Sequence, residues 1–292
     1  MPRTPDTTTA TGSPPFLLWV GDTQGEELTL ARSGLRELAT VVDAASPDAA
    51  LAMQMPAERS PAIALLAATL PGRWTLCDAV GLSRRWPLTP VVSVATSLLD
   101  GRRRSGPLLP GVEEVFWSDL AARVAWWLRD VAAGRPGTLG MPATARREER
   151  IMESASGVRE WSARRRSGRR IAAAAGRPGD LESLVDLLAV AGTRVAHRTC
   201  GRPALDEPAD VIVWDVSTLT PSHLAWLQIL VANRPGLRVV LLDSFPRGDS
   251  TAAALRAGAA AVLTRPVSLE ALAGTLLRLE GSIGLGPGPG PG

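Results

Sequence analysis

Short apolar blocks alternate with amphipathic stretches along most of this chain, and the rhythm is cleanest in its second half. "RRIAAAAG" (Arg169–Gly176) is an apolar run closed by glycine, the pattern of a buried strand. "GDLESLVDLLAVAG" follows, with Asp180 as a candidate N-cap, Gly192 past its end, and Leu181, Leu184, Val185 and Leu188 on one helical face. "TRVAHRT" reads as a second strand. "ADVIVWDVS" (Ala209–Ser217), apolar on both faces and ending in Asp215, reads as a central one. A helix over "TPSHLAWLQILVANRPG" stops at Pro235-Gly236, and "LRVVLLDSF" is the fourth strand. An Ala-rich helix, "DSTAAALRAG", is capped near Asp249 or Ser250 and closes at Gly258. "AAAVLTRP" is then a fifth strand, and "SLEALAGTLLRL" a last helix with Leu269, Leu272, Ala273 and Leu276 on one face. Strand and helix alternating five times predict a parallel sheet with helices on both faces.

The first half repeats this less cleanly. "FLLWVGD" (Phe16–Asp22), "PAIALLAATL" (Pro61–Leu70), "TPVVSVATS" (Thr89–Ser97) and "VEEVFWSD" (Val112–Asp119) read as strands. "EELTLARSGLRELA" and "DLAARVAWWLRDVAAG" read as helices, the second with Leu120, Val124, Trp127 and Val131 on one face. A loop, "LLDGRRRSGPLLPG", stands where the second half has a helix. Trp126 and Trp127 are neighbours on a helix and point about 100° apart, so one is expected near the surface, where it would mark a packing face between domains or subunits.

These patterns divide the chain into five parts: a disordered leader (1–15), a diverged domain (16–134), an Arg-rich helical linker (135–168), a second domain (169–280) and a Gly/Pro tail (281–292). In the linker Ile151, Ala155, Val158 and Ser162 form a thin stripe, with Met152 and Trp161 beside it. It is either a solvated helix laid on one domain or a short dimerising helix.

Composition removes many chemistries. The 292 residues include no lysine, which excludes a Walker A loop, a Schiff base and a lysine general base. No GxSxG, HExxH or GxGxxG motif is present. His197 and Cys200 have a ligand-like spacing, but no second local pair completes a zinc site, so neither metal nor cofactor is expected. Two cysteines far apart fit a reducing cytosol. No apolar run approaches the ~20 residues of a membrane span, and the leader lacks a signal peptide's features. Of the net charge of +3, residues 141–170 contribute nine arginines against four glutamates, which leaves the remainder slightly acidic. Arg164, Arg165, Arg166, Arg169 and Arg170 are therefore candidate contacts to nucleic acid or another anionic partner, although no reader module accompanies them.

"ALRAGAAAVLTRP" followed by a Leu-rich helix, with Asp215 ending the central strand, resembles the receiver domains of two-component response regulators. The resemblance implies two tandem flavodoxin-like, receiver-like doubly wound parallel sheets in the order 2-1-3-4-5. It places Asp215 at the family's phospho-acceptor position. Two acids that would hold magnesium fall on Ala175 and Gly176, and the phosphate-sensing hydroxyl falls on Asp243, with Ser244 next to it. The family's lysine is Arg265, whose planar fork does not fit a lysine's niche unchanged. The pocket thus reads as degenerate, with Arg265 expected to pair with Asp215 or Asp243 and Asp180 poorly placed to replace the missing acids. In the first half Ala67 and Ala68 stand at the acceptor position and Trp117-Ser118 at Lys-Pro; only Asp22 and Thr96 match the pocket.

The resulting expectation is a non-enzymatic, cytoplasmic regulatory or scaffolding protein, independent of phosphorylation, that works through protein partners. The resemblance places the partner face at about Ser250 to Leu279, and a homodimer through the linker or last helices is an option. Two alternatives stay open: a nucleic-acid-associated regulator using the linker arginines, and a response regulator still phosphorylated on Asp215.

Overall fold

The computed structural model describes residues 15–54, 59–70, 72–99, 109, 112–135, 137–142, 144–164 and 169–281. Nearly all of the expected leader and tail, and most of the loop at 98–111, lie outside these residues.

The first sheet is built from β1 (Phe16–Gly21), β2 (Thr40–Ala44), β3 (Ile63–Ala67), β4 (Val91–Ala95) and β5 (Glu113–Phe116). Four helices accompany it: α1 (Glu26–Arg36), α2 (Pro47–Leu51), α3 (Leu76–Arg85) and α4 (Leu120–Ala132). The helix α5 (Arg147–Arg164) leads to the second sheet of β6 (Ile171–Ala175), β7 (Val195–Cys200), β8 (Val211–Ser217), β9 (Arg238–Asp243) and β10 (Ala259–Thr264). Around that sheet lie α6 (Pro178–Val190), α7 (Pro221–Asn233), α8 (Gly248–Arg256) and α9 (Leu269–Leu279). The sheet orders are β2-β1-β3-β4-β5 and β7-β6-β8-β9-β10, every pairing parallel. Both are receiver-like doubly wound folds in the order 2-1-3-4-5.

Burial follows the residue pattern. β8 is buried along nearly its whole length between two neighbours, whereas the edge strand β7 is largely exposed and carries His197 and Arg198 outward. β2 and α3 were not legible as elements, because "TVVDA" is short and half-exposed and α3 carries arginines and exposed Leu76 and Val80. Helix starts also move. α6 begins at Pro178, so Asp180 lies inside its first turn and is not the N-cap, and α8 is preceded by Arg247 where Asp249 or Ser250 was expected.

The two domains share one core. Leu17, Trp19 and Leu65 of the first belong to the same apolar cluster as Ala173, Val213 and Leu263 of the second, joined through α4 and α9. α9 is buried from Glu270 through Leu277, on every side and not only on its predicted face. Gly274 lets the helices approach, since a Cβ there would lie 1.9 Å from the carbonyl oxygen of Ala122. Two expectations are corrected here. Most of the Ser250–Leu279 face expected to receive partners, and to serve as a last-helix dimer contact, packs on the chain's own first domain, α9 against α4 and α8 against α1, while Leu255 stays 39% exposed. Trp126 and Trp127 are both buried, at 1% and 2% exposure, while Val131 is 54% exposed. One indole meets Trp161 of α5 edge-on at 5.6 Å, and the other meets α9.

The linker is a 3-10 turn (Thr138–Gly140) and α5, and α5 spans both domains instead of lying on one. Its buried stripe is Gly157, Val158 and Trp161, whereas Ile151 and Met152 face solvent.

Candidate functional site

The carboxyl ends of β6, β8, β9 and β10 form one crevice, where doubly wound sheets place their ligand sites. Asp215, with a side chain 5% exposed, ends the regular part of β8 and lies in register with Ala175 of β6. A bulge follows, and Ser217 takes a left-handed backbone (φ 57°) unusual for a residue with a Cβ. That turn aims the Ser217 N–H back at Asp215 Oδ1, 2.9 Å away.

Arg265 enters from the end of β10 and binds three groups at once. Its Nε lies 3.1 Å from Asp215 Oδ2, one terminal nitrogen donates to Asp180 Oδ1 at 3.0 Å, and the other donates to Ser217 Oγ at 2.8 Å. The first turn of α6 thus brings Asp180 to the pocket as a partner of the arginine. Asp243 is not the partner of this guanidinium. Its carbonyl accepts the Arg265 backbone N–H at 2.8 Å, and its side chain accepts the Phe245 N–H at 3.2 Å. Ser244 donates its N–H to the Ser217 carbonyl.

Electrostatics follow from burial. Desolvation raises the pKa of Asp215 above the ordinary carboxylate value, against the Ser217 N–H and Arg265, which lower it; Asp180 adds to the rise. Desolvation likewise raises Asp243, opposed by the N–H groups of Phe245, Leu219 and Ser244 and by His223. His223 is itself held below its usual value by burial and then by Arg202.

Magnesium, which the receiver resemblance implies, does not fit this donor set. Ala175 and Gly176 carry no side-chain oxygen, and a guanidinium occupies the space between Asp215 and Asp180. Among the described residues no cluster of three or more histidines, cysteines or acids could hold a metal. His197 pairs with Glu207 Oε1 at 3.0 Å, and Cys200 is an exposed free thiol.

The first domain's crevice is organised around Asp22. Its Oδ2 accepts the Thr69 N–H and hydroxyl at 3.0 and 2.8 Å, and its Oδ1 pairs with Arg73 at 3.0 Å. Ala67 and Ala68 are buried there and offer no nucleophile. Thr96 donates to the Thr69 carbonyl, and Ser118 faces the second domain.

Of the arginine cluster, Arg165 and Arg166 lie outside the described residues. Arg164 pairs with Glu160 at 2.6 Å, Arg169 donates to the Leu279 carbonyl at 2.6 Å, and Arg170 pairs with Asp210 at 3.4 Å. None of these three described contacts lies in the crevice of Asp215 and Arg265.

Sequence reasoning missed a second polar constellation, at the seam between domains. Buried Glu270 accepts the Trp127 indole N–H at 3.1 Å and the Thr138 hydroxyl at 2.7 Å. Arg123 Nε lies 2.9 Å from Glu270 Oε2, an ion pair without hydrogen-bond alignment. Asp119 accepts the Thr264 N–H at 2.8 Å, and the Ser118 and Thr264 hydroxyls lie 2.7 Å apart. The one signal for this cluster was an acid inside the otherwise apolar "LEALAGTLL".

No protein-family model matches this chain, and no curated protein sequence does. Solved structures resemble it. A protein ascribed to pilus assembly in Burkholderia pseudomallei is 29% identical over 38% of this chain and 89% of its own, with a TM-score of 0.36. A CheY-like protein of Pseudomonas aeruginosa is 28% identical over 38% of this chain and 98% of its own, with a TM-score of 0.31. A two-component response regulator/GGDEF domain protein covers 92% of this chain and 99% of its own at 14% identity and a TM-score of 0.34.

Proposed function

We propose that this chain is a non-catalytic regulatory or scaffolding module of response-regulator type that acts on protein partners without being phosphorylated. One observation carries the reading: Arg265 binds Asp215, Asp180 and Ser217 together. A phosphoryl donor must reach an acceptor carboxylate whose Oδ2 is already paired and whose Oδ1 accepts an N–H. The neighbouring positions supply no metal ligand to neutralise the incoming charge, which phosphoryl transfer requires.

The largely covered Ser250–Leu279 face moves the partner surface elsewhere. The outer helices α3 and α7 are candidates, exposing Leu76, Val80 and Ile229. The nucleic-acid reading is weakened by the intrachain bonds of Arg164, Arg169 and Arg170. Among the described residues no helix is long and apolar enough to cross a membrane.

Incubation with acetyl phosphate and magnesium, followed by intact-mass measurement, tests the proposal. The expected mass is unchanged. A phosphoryl adduct that disappears in Asp215→Asn overturns the reading and restores a phosphorylated regulator.

A further inference from the structure

The seam between the domains holds a cavity of about 200 Å³, walled by α1, the start of α4, α8, β10 and α9. Two close contacts keep it open. A Cβ on Gly34 of α1 would lie 2.9 Å from the Ala121 Cβ, and one on Gly274 of α9 would lie 1.9 Å from the Ala122 carbonyl oxygen. The first turn of α4 is therefore seated hard against both neighbours and cannot move inward. The wall between these contacts carries short side chains, among them Ala31, Ala260 and Ala261, with Ala260 at a bulge in the edge strand β10.

Two buried polar groups of the wall have no hydrogen-bond partner among the described residues. They are the Trp117 indole N–H and the Thr251 hydroxyl, in residues 2% and 4% exposed. Other polar groups of the wall are engaged. The Ser118 hydroxyl lies 2.7 Å from that of Thr264, the Thr275 hydroxyl donates to the Ala271 carbonyl at 2.8 Å, and Arg278 pairs with Glu37 at 2.8 Å. An indole N–H can only donate, whereas a hydroxyl donates or accepts. Leaving both buried and unpaired costs free energy that an acceptor oxygen in the cavity would return.

We propose that the seam cavity is a binding site for a small uncharged molecule that joins an apolar body to a hydroxyl or carbonyl oxygen. The absence of charge follows from the wall, whose guanidinium and carboxylate already neutralise each other. The apolar body follows from Leu30, Leu255, Val262 and Leu263. The volume is below the ~300 Å³ at which pockets for drug-sized molecules begin, yet a cavity of ~150 Å³ accepts a benzene ring. Entry lies past Ser33 and Leu255, both exposed. Because the walls come from both domains, a bound molecule favours their docked arrangement over any in which they part.

Nitrogen–proton correlation spectra of the indole N–H groups in the full chain test the proposal. The probes are benzyl alcohol and benzamide, and toluene is the control of like shape without the oxygen. The Trp117 signal is the one missing from Trp117→Phe. At least one probe should move it downfield to saturation, and toluene should not. In the same titrations Thr251→Val, which keeps the side chain's shape and removes its hydroxyl, should bind that probe about fivefold more weakly. If Trp117→Phe does not fold, the saturable shift is followed without that assignment and Thr251→Val alone decides. The proposal is overturned if neither probe gives a saturable shift up to its solubility, or if toluene moves the same signal equally. Unchanged affinity in Thr251→Val overturns it too, leaving both groups to water.

Discussion

At Asp119 the cost of burying a carboxylate exceeds what its donors return. Burial raises its pKa to about 6 from 3.8, against the Thr264 N–H, Arg123 and the Ser118 hydroxyl. The folded state therefore holds this proton more tightly than the unfolded chain. Ionisation costs nothing below the unfolded value, the penalty grows as pH rises from there through about 6, and it is complete above that. The full penalty is about 3 kcal/mol. The chain should gain stability as pH falls from neutral toward 5, and Asp119→Asn should flatten that slope in urea titrations at several pH values. Asp130, Asp215 and Asp243 are raised by burial as well, with the same sign, so the difference between variant and parent isolates Asp119. Glu270 behaves differently, because Trp127, Thr138 and Arg123 all converge on it. Glu270→Ala leaves three buried groups short of their partner and should cost about 3–5 kcal/mol in equilibrium urea unfolding.

Among the elements, α9 shows how a neighbour overrides a pattern. Its sequence has one clear apolar face, yet eight consecutive residues, Glu270 to Leu277, are buried, because α4 closes over the side that would otherwise be wet. Close approach depends on Gly274, so Gly274→Ala should cost about 3 kcal/mol, visible as a lower urea midpoint. A variant of unchanged midpoint would mean that α4 and α9 can separate slightly without loss. α5 carries a parallel lesson. Its spacing offered the stripe Ile151, Ala155, Val158 and Ser162, but Trp161 decides the buried side by stacking edge-on against Trp126. An isolated helical wheel holds no information about where the partner's indole will be.

On the scale of the whole molecule, a core that runs unbroken through both sheets predicts one cooperative unit. Calorimetry should give a single unfolding transition with calorimetric and van't Hoff enthalpies in agreement; two resolved transitions would show that the seam is weaker than its packing indicates. Much of the architecture was legible in the chain. Runs such as "VIVWDV" and "VVLLD" are apolar on both faces, and only a central parallel strand buries both. β2 and α3 escaped because short, half-exposed segments with arginines carry little periodicity. In the crevice, Asp215 and Arg265 could be placed from the ends of their strands. Asp180 and Ser217 could not, since their part depends on where one turn of α6 and one left-handed residue aim a side chain.

The sequence by itself determined two alternating strand-and-helix domains, the order of their sheets through the receiver resemblance, and the absence of lysine from the crevice, because periodicity and residue identity are local properties. Only the tertiary structure decided that Arg265 grips Asp215 and Asp180 but not the side chain of Asp243. It alone decided, too, that Thr264 and Glu270 fasten the domains together and that the second domain's α8–β10–α9 face is turned inward. Those outcomes rest on distances between residues far apart in the chain, which side-chain reach and packing set and no local pattern encodes.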